Sequence, residues 1–128
     1  MNVEQVCKQL ELHVLVGEDL SREVTGGYTG DLLSWVMARL PADAVWFTVM
    51  GNVNAIAVAA LADAACIVLT DNASLDEEAR VKAQQQDILV LGSEKNSYEL
   101  GAQLAELLKN EVLLRLSPAF LPFALRGR

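Results

Sequence analysis

Small and polar residues recur in the sequence where apolar segments end. One cluster follows the first apolar segment, and others follow later ones. In open parallel α/β sheets, ligands bind outside the carboxyl ends of the strands, where helix N-termini also offer free amides to anions. We therefore expect these clusters to bind a small anionic metabolite or nucleotide. The candidate binding residues are Thr25, Gly26, Gly27, Gly30, Asp31, Asn52, Asn54 and Thr70.

The cluster at 25–31 has six small or polar positions within seven residues, a composition that resembles a phosphate-binding loop. It contains no Gly-x-x-x-x-Gly-Lys-Ser/Thr motif and no strict Gly-x-Gly-x-x-Gly motif. A nucleoside-triphosphate hydrolase of the first class and a dinucleotide site of the second are therefore not indicated. Each candidate residue could instead serve only as a turn or cap residue, because turns require Gly, Asn and Asp.

Catalytic groups are sparse. The single histidine, His13, lies inside a predicted strand, where a lone histidine is more often a packed or edge residue than a base. No Ser/His/Asp pair, Cys/His pair or metal-binding spacing is present. Glu23, Asp31 and Asp71 are candidates to meet a divalent cation, although solvated surface carboxylates are the default. We predict no catalytic residue, no metal site, no cofactor and no enzyme activity.

Composition and charge restrict the partners. The 128 residues fit one domain, and 52% of them are hydrophobic. The net charge is −7, with −10 on residues 1–111 and +3 on residues 112–128. An acidic body argues against nucleic-acid binding. The two cysteines, Cys7 and Cys66, are too few for a disulfide framework, and Cys66 is expected to be buried and inert. We also expect no signal peptide and no apolar membrane span. Together these features favour a cytoplasmic protein.

Strand-like and helix-like segments alternate along the chain, which is typical of βαβ units. We predict an α/β fold: a single-domain layered sandwich with a mainly parallel sheet of about four to five strands and helices on both faces. The predicted strands are 11–17, 44–50, 65–70 and 87–91, and the predicted helices are 2–9, 32–40, 53–63, 75–85 and 97–108, with 20–27 as a loop or strand end. Asp31, Ser74 (with Glu77 as its capping-box partner) and Ser97 are the predicted N-caps.

The C-terminal segment does not continue the alternation of strands and helices. Residues 112–128 are basic and apolar, and Pro118 and Pro122 interrupt them. We divide the chain into an α/β domain at 1–110 and a tail at 111–128. A docking tail, an interface segment and a sequence scar are all compatible with this composition.

Several segments together resemble the DRTGG domain family. They are residues 23–37, 53–60, 65–70, 87–93 and 97–100, and the resemblance covers roughly residues 2–108. The family is named for Asp-Arg-Thr-Gly-Gly. This chain keeps Thr25, Gly26 and Gly27 but has Glu23 and Val24 in the first two places, so the arginine is missing.

The resemblance implies an α/β fold like the N-terminal domain of HPr kinase/phosphorylase. DRTGG domains accompany CBS domains and phosphotransacetylases as regulatory parts, whereas the catalytic half of the kinase carries a phosphate loop that this chain lacks. We therefore expect a non-catalytic regulatory, ligand-binding module that forms a homo-oligomer. The alternative is an interaction or scaffold module that acts as a homodimer without ligand. A concave polar rim would favour the first function and a large exposed apolar patch the second.

Overall fold

The computed structural model describes residues 1–116, which form helices on both faces of one sheet. The helices are α1 (Val3–Leu10), α2 (Leu33–Arg39), α3 (Val53–Ala62), α4 (Glu77–Gln85) and α5 (Ser97–Arg115). The strands are β1 (His13–Val16), β2 (Gly26–Thr29), β3 (Ala44–Thr48), β4 (Cys66–Leu69) and β5 (Val90–Gly92). The predicted α/β class is confirmed.

The strand order in the sheet is β1-β5-β4-β3-β2. β2, β3, β4 and β5 run parallel, and β1 alone is antiparallel to its neighbour, β5. Gly26 is opposite Ala44, the first residue of β3, and Val45 is opposite Cys66. The parallel strands therefore all end on one side of the sheet, which we call the carboxyl edge, and they all begin on the amino edge. Both terms refer to the ends of the strands and not to β1 and β2, the edge strands that flank the sheet.

The core lies on both faces of the sheet. β3 is buried along its whole length, and its successive side chains point to opposite faces. Trp46 belongs to the core beneath α2, α3 and α4, whereas Phe47 belongs to the core beneath α1 and α5. Burial on both sides explains why the central strands are continuous apolar runs in the sequence.

β2 differs from the prediction, which placed residues 20–27 in a loop or strand end. Gly26–Thr29 forms a short edge strand parallel to β3. The sequence Gly-Gly-Tyr-Thr carries no run of apolar residues, because an edge strand needs less burial than a central one.

The predicted N-caps are wrong at three helices. α2 begins after Leu32 without a side-chain cap, and α4 begins after Asp76, also without one. Asn96, and not Ser97, caps α5, because its Oδ1 accepts a hydrogen bond of 2.8 Å from the amide of Glu99. Asp31 lies one residue before the N-cap position of α2, and Ser74 lies two residues before that of α4, so neither side chain caps its helix.

α5 is longer than predicted and crosses the expected boundary between residues 110 and 111. It continues to Arg115, and Glu111 near its end pairs with two cations. Its Oε1 lies 2.7 Å from the N-terminal ammonium of Met1 and 2.7 Å from the guanidinium of Arg115. The rest of the predicted tail, 117–128, lies outside the described residues.

Both cysteine thiols are buried and unpaired with each other. Burial raises the pKa of Cys66, which has no exposed surface, and burial together with the charge of Glu4 raises the pKa of Cys7. The prediction that Cys66 packs in the core is confirmed.

Candidate functional site

Three hydroxyl side chains stand side by side at the carboxyl edge. Thr48 ends β3, Thr70 follows β4 and Ser93 follows β5, and all three are buried. The amide of Thr70 donates to the carbonyl of Thr48 at 3.0 Å, and the amide of Ser93 donates to the carbonyl of Leu69 at 3.0 Å. The sheet ladder thus continues into the loops and holds this part of the edge rigid.

The loop between β2 and α2 is fixed to β3 and to Val49, the residue after it, by three hydrogen bonds that involve side chains. Oδ1 of Asp31 accepts from the hydroxyl of Thr48 at 2.7 Å and from the amide of Val49 at 3.0 Å. Nε1 of the buried Trp46 donates to the carbonyl of Gly30 at 2.9 Å. Gly30 and Asp31 therefore lie at the carboxyl edge, as predicted.

The turn after β4 is tied to the loop after β5. Asp71 and Asn72 both have a φ of +56°, and the amide of Ala73 donates to the carbonyl of Thr70 at 2.9 Å, as in a turn with two left-handed central residues. The amides of Asp71 and Asn72 donate to the carbonyls of Lys95 and Ser93, each at 2.9 Å. The hydroxyl of Thr70 donates to the Asp71 carboxylate at 2.7 Å. These amides are consequently committed to the fold.

The start of α3 is different. Oδ1 of Asn52 accepts from the amide of Ala55 at 2.9 Å and so caps the helix. Within residues 1–116, the four consecutive amides of residues 51–54 donate to no protein acceptor. Free amides and the positive end of the helix dipole together favour a bound anion.

Gly51 supports this geometry. A Cβ at this position would overlap the carbonyl oxygen of Ser74, and the carbonyl of Gly51 accepts from the amide of Asp76 at 2.8 Å. The loop before α3 and the loop before α4 are therefore in direct backbone contact, which only glycine permits at position 51.

Thr25, Gly26 and Gly27 do not lie with the other candidate residues. The amide of Thr25 donates to the carbonyl of Asp43 at 3.1 Å, and Gly26 is opposite Ala44, so both are at the amino edge. Gly27 follows inside β2. Their predicted place at the carboxyl edge is wrong, because these residues begin a strand and do not follow one. The predicted set that meets at the carboxyl edge is Gly30, Asp31, Asn52, Asn54 and Thr70.

His13 and Thr48 also lie at this edge, and the prediction did not place them there. His13 is exposed and pairs with Gly92 at the end of β5, because β1 is antiparallel. A Cβ on Gly92 would lie 2.7 Å from Nε2 of His13. Thr48 follows an apolar run just as Thr70 does, so this pattern could have identified it, whereas no sequence pattern reveals the direction of β1.

Charge at the carboxyl edge is mixed. Asp31, Asp71 and Glu94 are exposed, and Lys95 is half-buried. Glu23 pairs with Asn2 and with the ammonium of Met1 away from this edge, so it does not join Asp31 and Asp71. Among residues 1–116, no three His, Cys, Asp or Glu side chains are grouped to hold a metal ion.

Two cavities lie away from this edge. One of about 280 Å³ lies between β2 and α5 and reaches Phe47 and Leu104. Another of about 440 Å³ lies at the amino edge, beside Gly17, Arg22 and Asp87. The candidate residues at the carboxyl edge line neither cavity, so the concave polar rim that would favour the ligand-binding function does not appear there.

The fold and this edge define a small, mainly parallel α/β domain with polar residues along its carboxyl edge. None of the helices in the described part of the chain combines the length and apolar content that crossing a bilayer requires.

No model of a known protein family matches the chain, and no curated protein matches it. In fold it is similar to the CBS and DRTGG domains of the regulatory region of Clostridium perfringens pyrophosphatase, solved in complex with the activator diadenosine tetraphosphate. The TM-score is 0.66 over 80% of this chain and 45% of that chain, at 8% identity. The chain thus spans less than half of that structure, and at this identity the likeness establishes the fold alone. The resemblance to DRTGG domains is confirmed for the fold.

Proposed function

We propose that the chain is a non-catalytic regulatory module that binds a small anionic metabolite or nucleotide at the carboxyl edge. The observation that carries this proposal is the set of four consecutive amides at residues 51–54 without a protein acceptor. A phosphate group is an anion that suits such an arrangement at a helix start.

The surrounding side chains suit a ligand that extends from α3 across the edge. Asn54 is exposed in the first turn of α3, and Lys95 lies in the loop after β5. The hydroxyls of Thr48 and Thr70 donate to Asp31 and Asp71, so they shape the edge and leave the amides to hold the anion.

The carboxylates set the expected strength of binding. Asp31 and Asp71 are exposed at the same edge and repel an anion. We therefore expect the phosphate to bind at the start of α3, with modest affinity.

The similar structure supports the regulatory part of the proposal. It is a regulatory region bound to an activator, diadenosine tetraphosphate, which is a nucleotide with several phosphates. A cytoplasmic location belongs to the same proposal, because both cysteines are free thiols.

The test is a titration of the ¹⁵N-labelled full chain with diadenosine tetraphosphate, ATP and inorganic phosphate, followed by amide NMR. We expect saturable shifts of the amides of residues 51–54, while the amides of Thr25, Gly26 and Gly27 at the amino edge stay unchanged. A thermal-shift measurement on the same samples should show a concentration-dependent rise in Tm. Shifts confined to residues 25–27, or none at millimolar ligand, would reject the carboxyl-edge site.

A second candidate function is an interaction module that acts without ligand, and exposed apolar residues on α2 and α3 favour it. Leu32, Trp35 and Leu61 have exposed fractions of 59%, 56% and 73%. Trp35 is also covered on one side by the guanidinium of Arg39, 3.9 Å from its ring centroid. If this surface binds protein, Trp35→Glu should abolish association in sedimentation experiments and leave the amide titration unchanged.

A further inference from the structure

β2 is an open edge strand. It pairs with β3 on one side, and no other strand in residues 1–116 pairs with its outer side. Such an edge presents free N–H and C=O groups that can pair with a strand from another chain. Natural proteins usually block such edges with charged residues, proline, bulges or covering elements.

β1 is the other edge strand of the sheet, and its outer side is blocked in this way. Its register with β5 shifts between Val14 and Val16, which is a bulge or irregularity. The guanidinium of Arg80, on α4, donates to the carbonyl of Leu15 at 2.7 Å and so occupies an acceptor of the strand. β2 contains no charged residue and no proline, and its register with β3 is regular.

The glycine at position 26 is not required by its own chain. Its φ is not positive, and a Cβ built on it would meet nothing within 4 Å. Glycine in a strand costs stability, because it loses more backbone entropy than other residues and contributes no packing. Close approach of another backbone or ligand is one of the recurrent reasons for a glycine in a strand.

Tyr28 lies two residues from Gly26, so both point to the same face of the sheet. If two copies of β2 pair antiparallel about a twofold axis at Gly27, Tyr28 of each copy lies opposite Gly26 of the other. Thr25 then lies opposite Thr29, a neutral pair of the kind that stabilises sheets.

We infer that two copies of this chain associate through β2 in this register, which joins their five-stranded sheets into one continuous sheet. The pleat supports the register, because residues directly opposite each other must point to the same face. Strand pairing about a twofold axis gives a closed, self-complementary interface. This surface is distinct from the carboxyl edge, so the inference does not rest on the proposed ligand.

The test measures the mass of the full chain by light scattering over a concentration series. Two variants each carry one added lysine, on the edge strand β2 or on the edge strand β1. We expect a dimer for the wild type. Thr29→Lys should raise the dissociation constant at least about tenfold, since a charged side chain on an edge strand opposes pairing. Val14→Lys, at a residue of β1 that is 44% exposed, should leave it unchanged.

Gly26→Val adds a test that is independent of charge. The added side chain fills space that is empty in the single chain, so Tm should stay the same or rise while dimerisation weakens. A wild-type chain that is monomeric over the whole accessible concentration range would overturn the inference. A dimer unaffected by both Thr29→Lys and Gly26→Val would overturn it as well, because the association would then use another surface.

Discussion

The carboxylate of Asp31 lies 2.7 Å from the hydroxyl of Thr48 and accepts its hydrogen bond. Thr48 is 1% exposed at the end of β3, whereas Asp31 is exposed in the loop before α2. The same oxygen accepts from the amide of Val49 at 3.0 Å. Asp31 therefore links the loop after the edge strand β2 to the neighbouring strand β3, and this structural role replaces the helix cap expected from the sequence.

Replacing Asp31 by alanine should lower the free energy of unfolding by about 1–2 kcal/mol, because the buried hydroxyl of Thr48 loses its acceptor. Asp31→Asn keeps an acceptor oxygen and should cost less. Urea denaturation measures both changes. In a Thr48→Val background the cost of Asp31→Ala should shrink, as in a double-mutant cycle for residues in contact. An equal cost in both backgrounds would show that the contact contributes nothing.

Gly51→Ala should destabilise the protein by about 2–3 kcal/mol, since the added Cβ overlaps the carbonyl of Ser74 and the two loops must move apart. Gly101→Ala is the matched control. Its Cβ would meet only Oγ1 of Thr29, at an ordinary 3.7 Å, within helix α5. That variant should gain up to about 1 kcal/mol from helix propensity. Similar changes in Tm for the two variants would contradict the assigned contact.

The central part of the fold could be predicted from the sequence because burial leaves a strong pattern. β3 and β4 appear as continuous apolar runs, and α3 lies within the predicted 53–63. The ends of elements were harder to predict, because Asp31, Ser74 and Ser97 are all suitable cap residues. Only the path of the chain decides whether a side chain reaches a free amide or, like Asp31, a hydroxyl of another strand.

The candidate site was only half predictable. Gly30, Asp31, Asn52, Asn54 and Thr70 lie at the carboxyl edge because they follow strands or begin a helix. Thr25, Gly26 and Gly27 begin β2, a four-residue edge strand that has no apolar pattern, so the sequence could not separate them from a loop. The position of His13 depends on the antiparallel direction of β1, which is a property of the whole sheet.

Stability should fall at alkaline pH because of Cys66. Burial raises its folded pKa above the ordinary 9.0, so above that pH the unfolded chain loses a proton that the folded chain keeps. Fewer protons on the unfolded state mean that the free energy of unfolding decreases as pH rises, by about 1.4 kcal/mol per pH unit for one such group.

Urea denaturation of the wild type and of Cys66→Ala at pH 8 and pH 10 tests this expectation. The alanine variant should lose less stability between the two pH values, although it is less stable at pH 8 because a buried side chain is truncated. Cys7→Ala offers a comparison, since the pKa of Cys7 is also raised, by burial and by Glu4. Identical pH dependence for the wild type and both variants would contradict the role of the thiols.

Asn54→Asp should separate stability from ligand binding. The residue is exposed in the first turn of α3, where a negative charge interacts favourably with the helix dipole, so the free energy of unfolding should rise by about 0.3–1 kcal/mol. The same charge lies beside the free amides of residues 51–54 and repels an anion, so the Kd for diadenosine tetraphosphate should rise several-fold. Asn54→Ala controls for loss of the side chain and should change the Kd less. If Asn54→Asp binds the nucleotide as tightly as the wild type while its Tm rises, the anion does not bind at the start of α3, because a unit charge so close to bound phosphate must weaken binding.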